Sequence, residues 1–233
     1  MKTEIITYKS HITGIQLISK NLCEISIEKP AELNYLPGQF IEIKFEGVEE
    51  RAKTISSINQ NKNQIKAYVN KRKNDAFSDK IFKNFKLGEE VVIEGPLGEF
   101  YNVDEDTKNK DIIFIACELG FASCFEICHS MVKQNTKQKI NFFWEHEKTN
   151  SYFKNFEMEL QKKHSNFAFY NRKRGECIVK WIDATLKLND KDKSNLFFFI
   201  SSSLFETSEI IKKLEALGID RKNIKEELIE KIF

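Results

Sequence analysis

The stretch Arg51-Ala52-Lys53-Thr54-Ile55-Ser56-Ser57 decides how the rest of the chain is read. It follows Leu36-Pro37-Gly38-Gln39-Phe40 and a run over 41–45 whose apolar residues alternate as in a strand. A guanidinium takes phosphate oxygens through a planar fork, and a hydroxyl three positions on supplies a polar group for a ring nitrogen. On a strand, positions 51 and 54 face opposite ways, so one ligand uses both only if the chain bends at Ala52 to Lys53. The plain structural alternative for Arg51 is a sheet-edge salt bridge with Glu49 or Glu50.

Around this stretch the first hundred residues read as short alternating strands at 5–8, 12–18, 23–27, 40–45, 65–69 and 90–94, with turn signals at Asn34, Gly47, 59–63 and Gly88. That pattern predicts an antiparallel β-barrel. Phe77, Ile81, Phe82 and Phe85 recur at helical spacing, so 75–85 is expected as one short helix across the barrel. The polar segment 102–111 marks a boundary between domains at 1–102 and 110–233. Beyond it, apolar strands at 112–117, 140–144, 167–170 and 196–200 alternate with helices at 122–133, 152–163, 176–186 and 207–217, the last ended by Gly218. Continuous apolar strands between amphipathic helices predict a parallel sheet covered on both faces, an α/β domain.

Composition narrows the function classes. In 233 residues, 37 basic side chains nearly balance 35 acidic ones, which gives no reason to expect nucleic acid as partner. Arg172-Lys173-Arg174 and Lys71-Arg72-Lys73 read as solvated faces. The start lacks the apolar core of a signal peptide, and the longest apolar runs are too short to span a bilayer, so the cytoplasm is the expected location. The five cysteines form no CxxC pair and are expected as reduced thiols. Cys117, Cys124 and Cys128 with His129 suggest a metal cluster, but Cys124 and Cys128 fall on one helix face and burial is the better reading; no metal is expected.

The order of the motifs resembles the ferredoxin-NADP reductase-like superfamily. A Pro-Gly-Gln turn leads to a strand, the Arg51 stretch, Phe77-Ser78, Gly95-Pro96-Leu97-Gly98-Glu99-Phe100, and then a buried strand ending in Ala116-Cys117-Glu118-Leu119-Gly120. In length and in the segment 142–160 the chain looks most like the short NAD(P)H-flavin reductases. The resemblance implies a flavin-binding barrel followed by an NAD(P)-binding-like domain, holding FAD or FMN and passing electrons to an acceptor protein or to free flavin. It places Arg51 on the flavin phosphate, Thr54 and the terminal Phe233 at the reacting ring, Lys53 where the family has a stacking aromatic, and Ser78 at the hydroxyl of a Gly-x-x-Ser turn whose glycine is Asp75 here. For the second domain it points to Gly120 and Phe121 at the helix start and to Ser201 and Ser202 in the later turn. The match there is poorer: Glu118 replaces a glycine, Glu145 and Glu147 stand where a glycine and an arginine are usual, and Ser201-Ser202-Ser203 replaces Cys-Gly-Pro. Three carboxylates beside a polyanion argue against ordinary NAD(P)H affinity. Glu226-Glu227 resembles the acidic residue near the family's final strand. No iron-sulfur ligand pattern is present. Two readings follow: a flavin-dependent oxidoreductase, or a reductase-like protein that has lost NAD(P)H use and serves as a flavin-binding subunit or interaction scaffold.

Overall fold

The computed structural model describes residues 5–55, 63–84, 86–101, 105–134, 137–146, 161, 164–175, 177–188 and 191–229. The chain divides into two compact units, one holding Met1–Tyr101 and the other Asn102–Lys231.

The first unit contains six strands and one helix: β1 (Ile6–Ser19), β2 (Leu22–Glu28), β3 (Phe40–Lys44), β4 (Arg51–Thr54), β5 (Gln64–Asn70), α1 (Ala76–Lys83) and β6 (Glu90–Leu97). The order β4-β3-β6-β1-β2-β5 is antiparallel, and β4 and β5, its two ends, lie side by side, giving a near-closed barrel. The two strands expected at 5–8 and 12–18 are one. β1 runs unbroken and divides its pairing, bonding β6 through Ile6–His11 and β2 from Ile12 onward, with register shifts at Ile12/Gly14 and Leu17/Ser19. Those irregularities bend one strand around the barrel, and in sequence they look like a break. The interior is aliphatic, with Ile25, Ile27, Ile41, Ile43 and Ile93 buried, and Phe77 of α1 packs on Phe45 at a centroid distance of 5.4 Å. Gly98 is needed where β6 passes Phe40: φ is 88° and a Cβ would lie 2.9 Å from the ring.

The second unit contains β7 (Asp111–Cys117), α2 (Gly120–Lys133), β8 (Ile140–His146), β9 (Phe167–Lys173), α3 (Ile178–Leu186), β10 (Leu196–Ser203), α4 (Leu204–Ala216) and β11 (Ile224–Ile229). Its parallel sheet has the order β11-β10-β7-β8-β9. Both faces are covered. Ile113 and Ile115 of β7 pack with Ile182 of α3 and Leu214 of α4, while Phe114 and Phe142 join Phe121 and Phe125 of α2 in an aromatic layer. The strand at β11 had no apolar run to announce it; Lys225, Glu226 and Glu227 suit a sheet edge that is covered on only part of its surface. The helix expected at 152–163 falls largely outside the described residues. No helix among the described residues is long and apolar enough to cross a membrane.

Candidate functional site

In the barrel the chemistry gathers where β4 meets the start of α1. Pairing of β3 with β4 runs without a break from Phe40↔Thr54 through Ile41↔Lys53 to Ile43↔Arg51. The expected bend at Ala52 to Lys53 is therefore absent, because every residue has a regular partner. Arg51 and Lys53 share the face of Ile41 and Ile43, and Thr54 projects from the other.

Arg51 is held on three sides. Its Nη1 donates to Glu49 Oε2 and to the Glu50 carbonyl, each at 2.9 Å, and its Nη2 donates to Asp75 Oδ1 at 3.0 Å. The hydrogen bond to Glu49, reinforced by Asp75, holds the guanidinium pKa above its ordinary value. Asp75 is the N-cap of α1; its Oδ2 accepts the Ser78 amide at 2.9 Å. Burial alone would raise the Asp75 carboxyl, but the Ser78 amide and the Arg51 guanidinium outweigh it and hold the pKa below its usual value. The Ser78 hydroxyl is wholly buried and turned into its own loop, donating to the carbonyls of Arg72 and Asp75 and accepting the Arg72 amide. The Lys53 ammonium lies 5.2 Å from the Phe77 ring centroid, a cation–π contact within the protein.

These groups fit a flavin phosphate with one exception. The Glu49 side chain facing Arg51 is 79% exposed and readily displaced by an incoming anion, whereas the Asp75 side chain is only 10% exposed and is anchored at both oxygens.

In the second unit, the C-terminal ends of the parallel strands carry the polar groups, the end at which open α/β sheets bind ligands. Glu118 follows β7 with φ 51°, the left-handed conformation that suits glycine, so the turn keeps its shape with a carboxylate upon it. Its carbonyl accepts the Trp144 indole N–H at 3.0 Å and the Phe121 amide at 3.3 Å, and its amide donates to the Glu145 carbonyl at 2.9 Å. Glu145, expected to repel a polyanion, is neutralised: Arg172 of β9 donates to its Oε1 from Nε at 3.0 Å and Nη2 at 2.8 Å. Ser202 and Ser203 both donate to Glu206 Oε2 at 2.7 Å, and Arg174 pairs with the same carboxylate. Ser201 donates to Glu227 at 3.2 Å. Burial raises the Glu227 pKa to about 7 in spite of hydrogen bonds from Ser123 and Ser201. Gly120 and Phe121 are buried at the start of α2, where Phe121 stacks on Phe125.

The structure thus joins Arg51, Lys53 and Ser78 through Asp75 and α1, and gathers Gly120 and Phe121, and Ser201 and Ser202, at the strand ends of the second unit. Phe233, Glu147, Ser56 and Ser57 lie outside the described residues. Asp75 and Glu206 carry more of the arrangement than the sequence reading assigned them. Ser203-x-x-Glu206 is a capping-box pattern, and it would have moved the start of α4 forward from 207. Among the cysteines, burial raises the thiol pKa to about 12 at Cys23 and about 11 at Cys117, and well above the ordinary value at Cys124 and Cys128. At Cys177 burial is outweighed by the amides of Lys180 and Val179 and by Lys213, which lower it. No group of three or more His, Cys, Asp or Glu among the described residues is placed to hold a metal ion.

Comparison with known proteins adds to this geometry. Residues 9–101 match the oxidoreductase FAD-binding domain family. The CDP-6-deoxy-L-threo-D-glycero-4-hexulose-3-dehydrase reductase of Yersinia pestis is 28% identical over 181 residues, covering 77% of this chain and 54% of the relative. The reductase component DmpP of the phenol 2-monooxygenase of Pseudomonas sp. (strain CF600) is 22% identical over 165 residues, 70% of this chain and 46% of the relative. The chain therefore spans about half the length of these relatives. The Amycolatopsis cytochrome P450 reductase GcoB superposes with a TM-score of 0.83 over 98% of this chain and 71% of that one, at 12% identity, which establishes a shared fold.

Proposed function

Because the chain belongs to the ferredoxin reductase-like superfamily and carries its FAD-binding barrel at residues 9–101, we propose that it is a flavin-dependent electron-transfer oxidoreductase serving an acceptor protein. The observation that carries this reading is the Arg51 guanidinium, partly exposed and facing a displaceable Glu49, beside the first turn of α1 in a barrel of the FAD-binding family. Arg51 would hold the phosphate and Lys53, on the same face of β4, would lend its aliphatic stem to the flavin, whereas Thr54 projects from the opposite face of the unbent strand and is not brought to the same ligand. Ser78 acts indirectly, by locking the loop that places Asp75. A bound flavin supplies the redox chemistry, accepting and releasing electrons singly or in pairs; the protein sets its position and surroundings. The acceptor is a partner protein, as the names of the reductase relatives support.

The test is flavin binding measured by fluorescence quenching. Arg51→Ala is expected to weaken FAD and FMN binding by roughly tenfold or more while leaving riboflavin, which has no phosphate, nearly unchanged. Equal loss for all three removes Arg51 from the phosphate.

A second reading keeps the flavin and dispenses with NAD(P)H. It is favoured by the second unit, where Ser201, Ser202 and Ser203, which close β10 as strand rather than forming the expected turn, are committed to Glu206 and Glu227, and the turn after β7 carries Glu118. Glu118 and the committed serines weigh against a nucleotide polyanion there, Glu145 being neutralised by Arg172, and the reading assigns this unit to partner contact. Addition of NADH or NADPH to the flavin-loaded protein without oxygen separates the two: bleaching of the flavin absorbance supports the reductase, and an unchanged spectrum supports the flavin-binding subunit.

A further inference from the structure

We propose that Asp75 is the residue that sets which flavins this barrel accepts, its carboxylate occupying the anion seat formed by Arg51 and the start of α1 and competing there with the flavin phosphate. This rests on the flavin reading above and extends it to selectivity.

The seat is defined by its donors. Asp75 Oδ1 takes the Arg51 Nη2 hydrogen at 3.0 Å and Oδ2 takes the Ser78 amide at 2.9 Å, so one anionic group bridges a guanidinium and a helix-start amide. That is the donor pair proteins use to hold phosphate: a charged planar fork and a backbone N–H at the positive end of a helix. Here the anion is part of the chain. The Asp75 side chain is 10% exposed, and its neighbours keep it ionised, so it does not leave the seat by taking a proton near neutral pH.

The local charge count shows what an incoming phosphate meets. Arg51 and Lys53 bring positive charge and Asp75 and Glu49 negative charge, and Arg72 and Lys73 stand in the loop immediately before Asp75. Asp79 in the first turn of α1 is already paired with Lys83 at 2.8 Å, and Glu50 with Lys44 at 3.6 Å. Glu49 swings into solvent at little cost, being 79% exposed. Asp75 cannot, because moving it uncaps α1 and strips Arg51 of its inner partner. A flavin carrying phosphate must therefore bind beside a fixed carboxylate or displace it, and riboflavin meets neither cost. The consequence is a barrel whose hold on phosphate-bearing flavins is weaker than Arg51 alone would give, while its hold on riboflavin is untouched, through a residue that also caps α1.

Asp75→Asn separates the cap from the charge, since the amide oxygen still accepts the Ser78 N–H while the negative charge is gone. Asp75→Ser, another good capping residue, is the second variant. Titration of the purified chain with riboflavin, FMN and FAD is expected to show FMN and FAD binding about tenfold tighter in both variants, riboflavin within twofold of wild type, and a gain that shrinks as salt rises. If wild type binds FAD and neither variant binds FMN or FAD more tightly, or if riboflavin gains as much as FMN, Asp75 does not compete for the phosphate and the inference fails while the flavin reading stands. If no form binds any flavin, the flavin reading fails and this inference with it. Thermal unfolding of each variant confirms that the barrel is folded in the titrations.

Discussion

Removal of Arg172 should be costly in a way that removal of the whole Glu145–Arg172 pair is not. The two residues are register partners at the ends of β8 and β9. Glu145 is 7% exposed, and both hydrogen bonds from Arg172 reach the same carboxylate oxygen. The Arg172 guanidinium carbon also lies 4.5 Å from the Trp181 ring centroid. Arg172→Met keeps much of the volume and removes the charge, leaving a carboxylate with little access to water. Stranding one member of a buried pair costs about 3 to 5 kcal/mol. Because the Arg172 side chain is 23% exposed, the lower end, about 3 kcal/mol, is the expected value, including about 0.5 to 1 kcal/mol for the contact with Trp181. Glu145→Leu combined with Arg172→Met leaves no stranded charge, and the double variant should recover about 2 kcal/mol of the loss. Urea unfolding followed by intrinsic fluorescence measures this directly, since the chain's two tryptophans, Trp144 and Trp181, flank the pair. A cost below about 1 kcal/mol for Arg172→Met, or a double variant no more stable than the single one, would falsify the claim that this pair neutralises Glu145.

Glu118 sits at φ 51°, so glycine should relieve strain there: Glu118→Gly is expected to hold or raise stability by up to about 1 kcal/mol, and Glu118→Val to lower it by more than that, in thermal unfolding. The reverse order would mean that the turn is not left-handed in solution. In the same Glu118→Gly variant, any NADH affinity should rise, by up to roughly thirtyfold at low salt if the carboxylate lies about 8 Å from a phosphate, and affinity that stays undetectable removes the nucleotide from this unit. Glu227 predicts a pH dependence. Its folded pKa of about 7 lies above the ordinary 4.5, so between these values the folded chain keeps a proton that the unfolded chain has released, and stability falls as pH rises through that window. The difference in unfolding free energy between wild type and Glu227→Gln should shrink by about 3 kcal/mol from pH 4.5 to just above 7 and then level off; parallel profiles would show that Glu227 is ionised in the fold.

The alternation at 40–45 and 65–69, the helical spacing of Phe77 and Ile81, and the apolar runs at 112–117 and 196–200 were enough to read an antiparallel barrel followed by a parallel α/β unit. These features depend on residues within a turn or two of one another, where side-chain period and backbone conformation are coupled directly. The flavin reading came from the Arg51-to-Ser57 stretch taken with the order of the motifs around it, from Pro37-Gly38-Gln39 to Gly95-Pro96-Leu97-Gly98. What tertiary structure alone decided is how the charges are matched. Arg51 meets Asp75 across 24 positions, Glu145 meets Arg172 across 27, and Glu227 reaches Ser201 across 26. Strand register and the docking of α1 on the barrel end choose those partners, and no spacing in the sequence announces them. β1 shows the same limit, since its bulges look like a chain break until two neighbouring strands divide it between them. Sequence period records which face of an element is apolar; the electrostatics of a site depend on which elements become neighbours, and that is settled when the chain closes on itself.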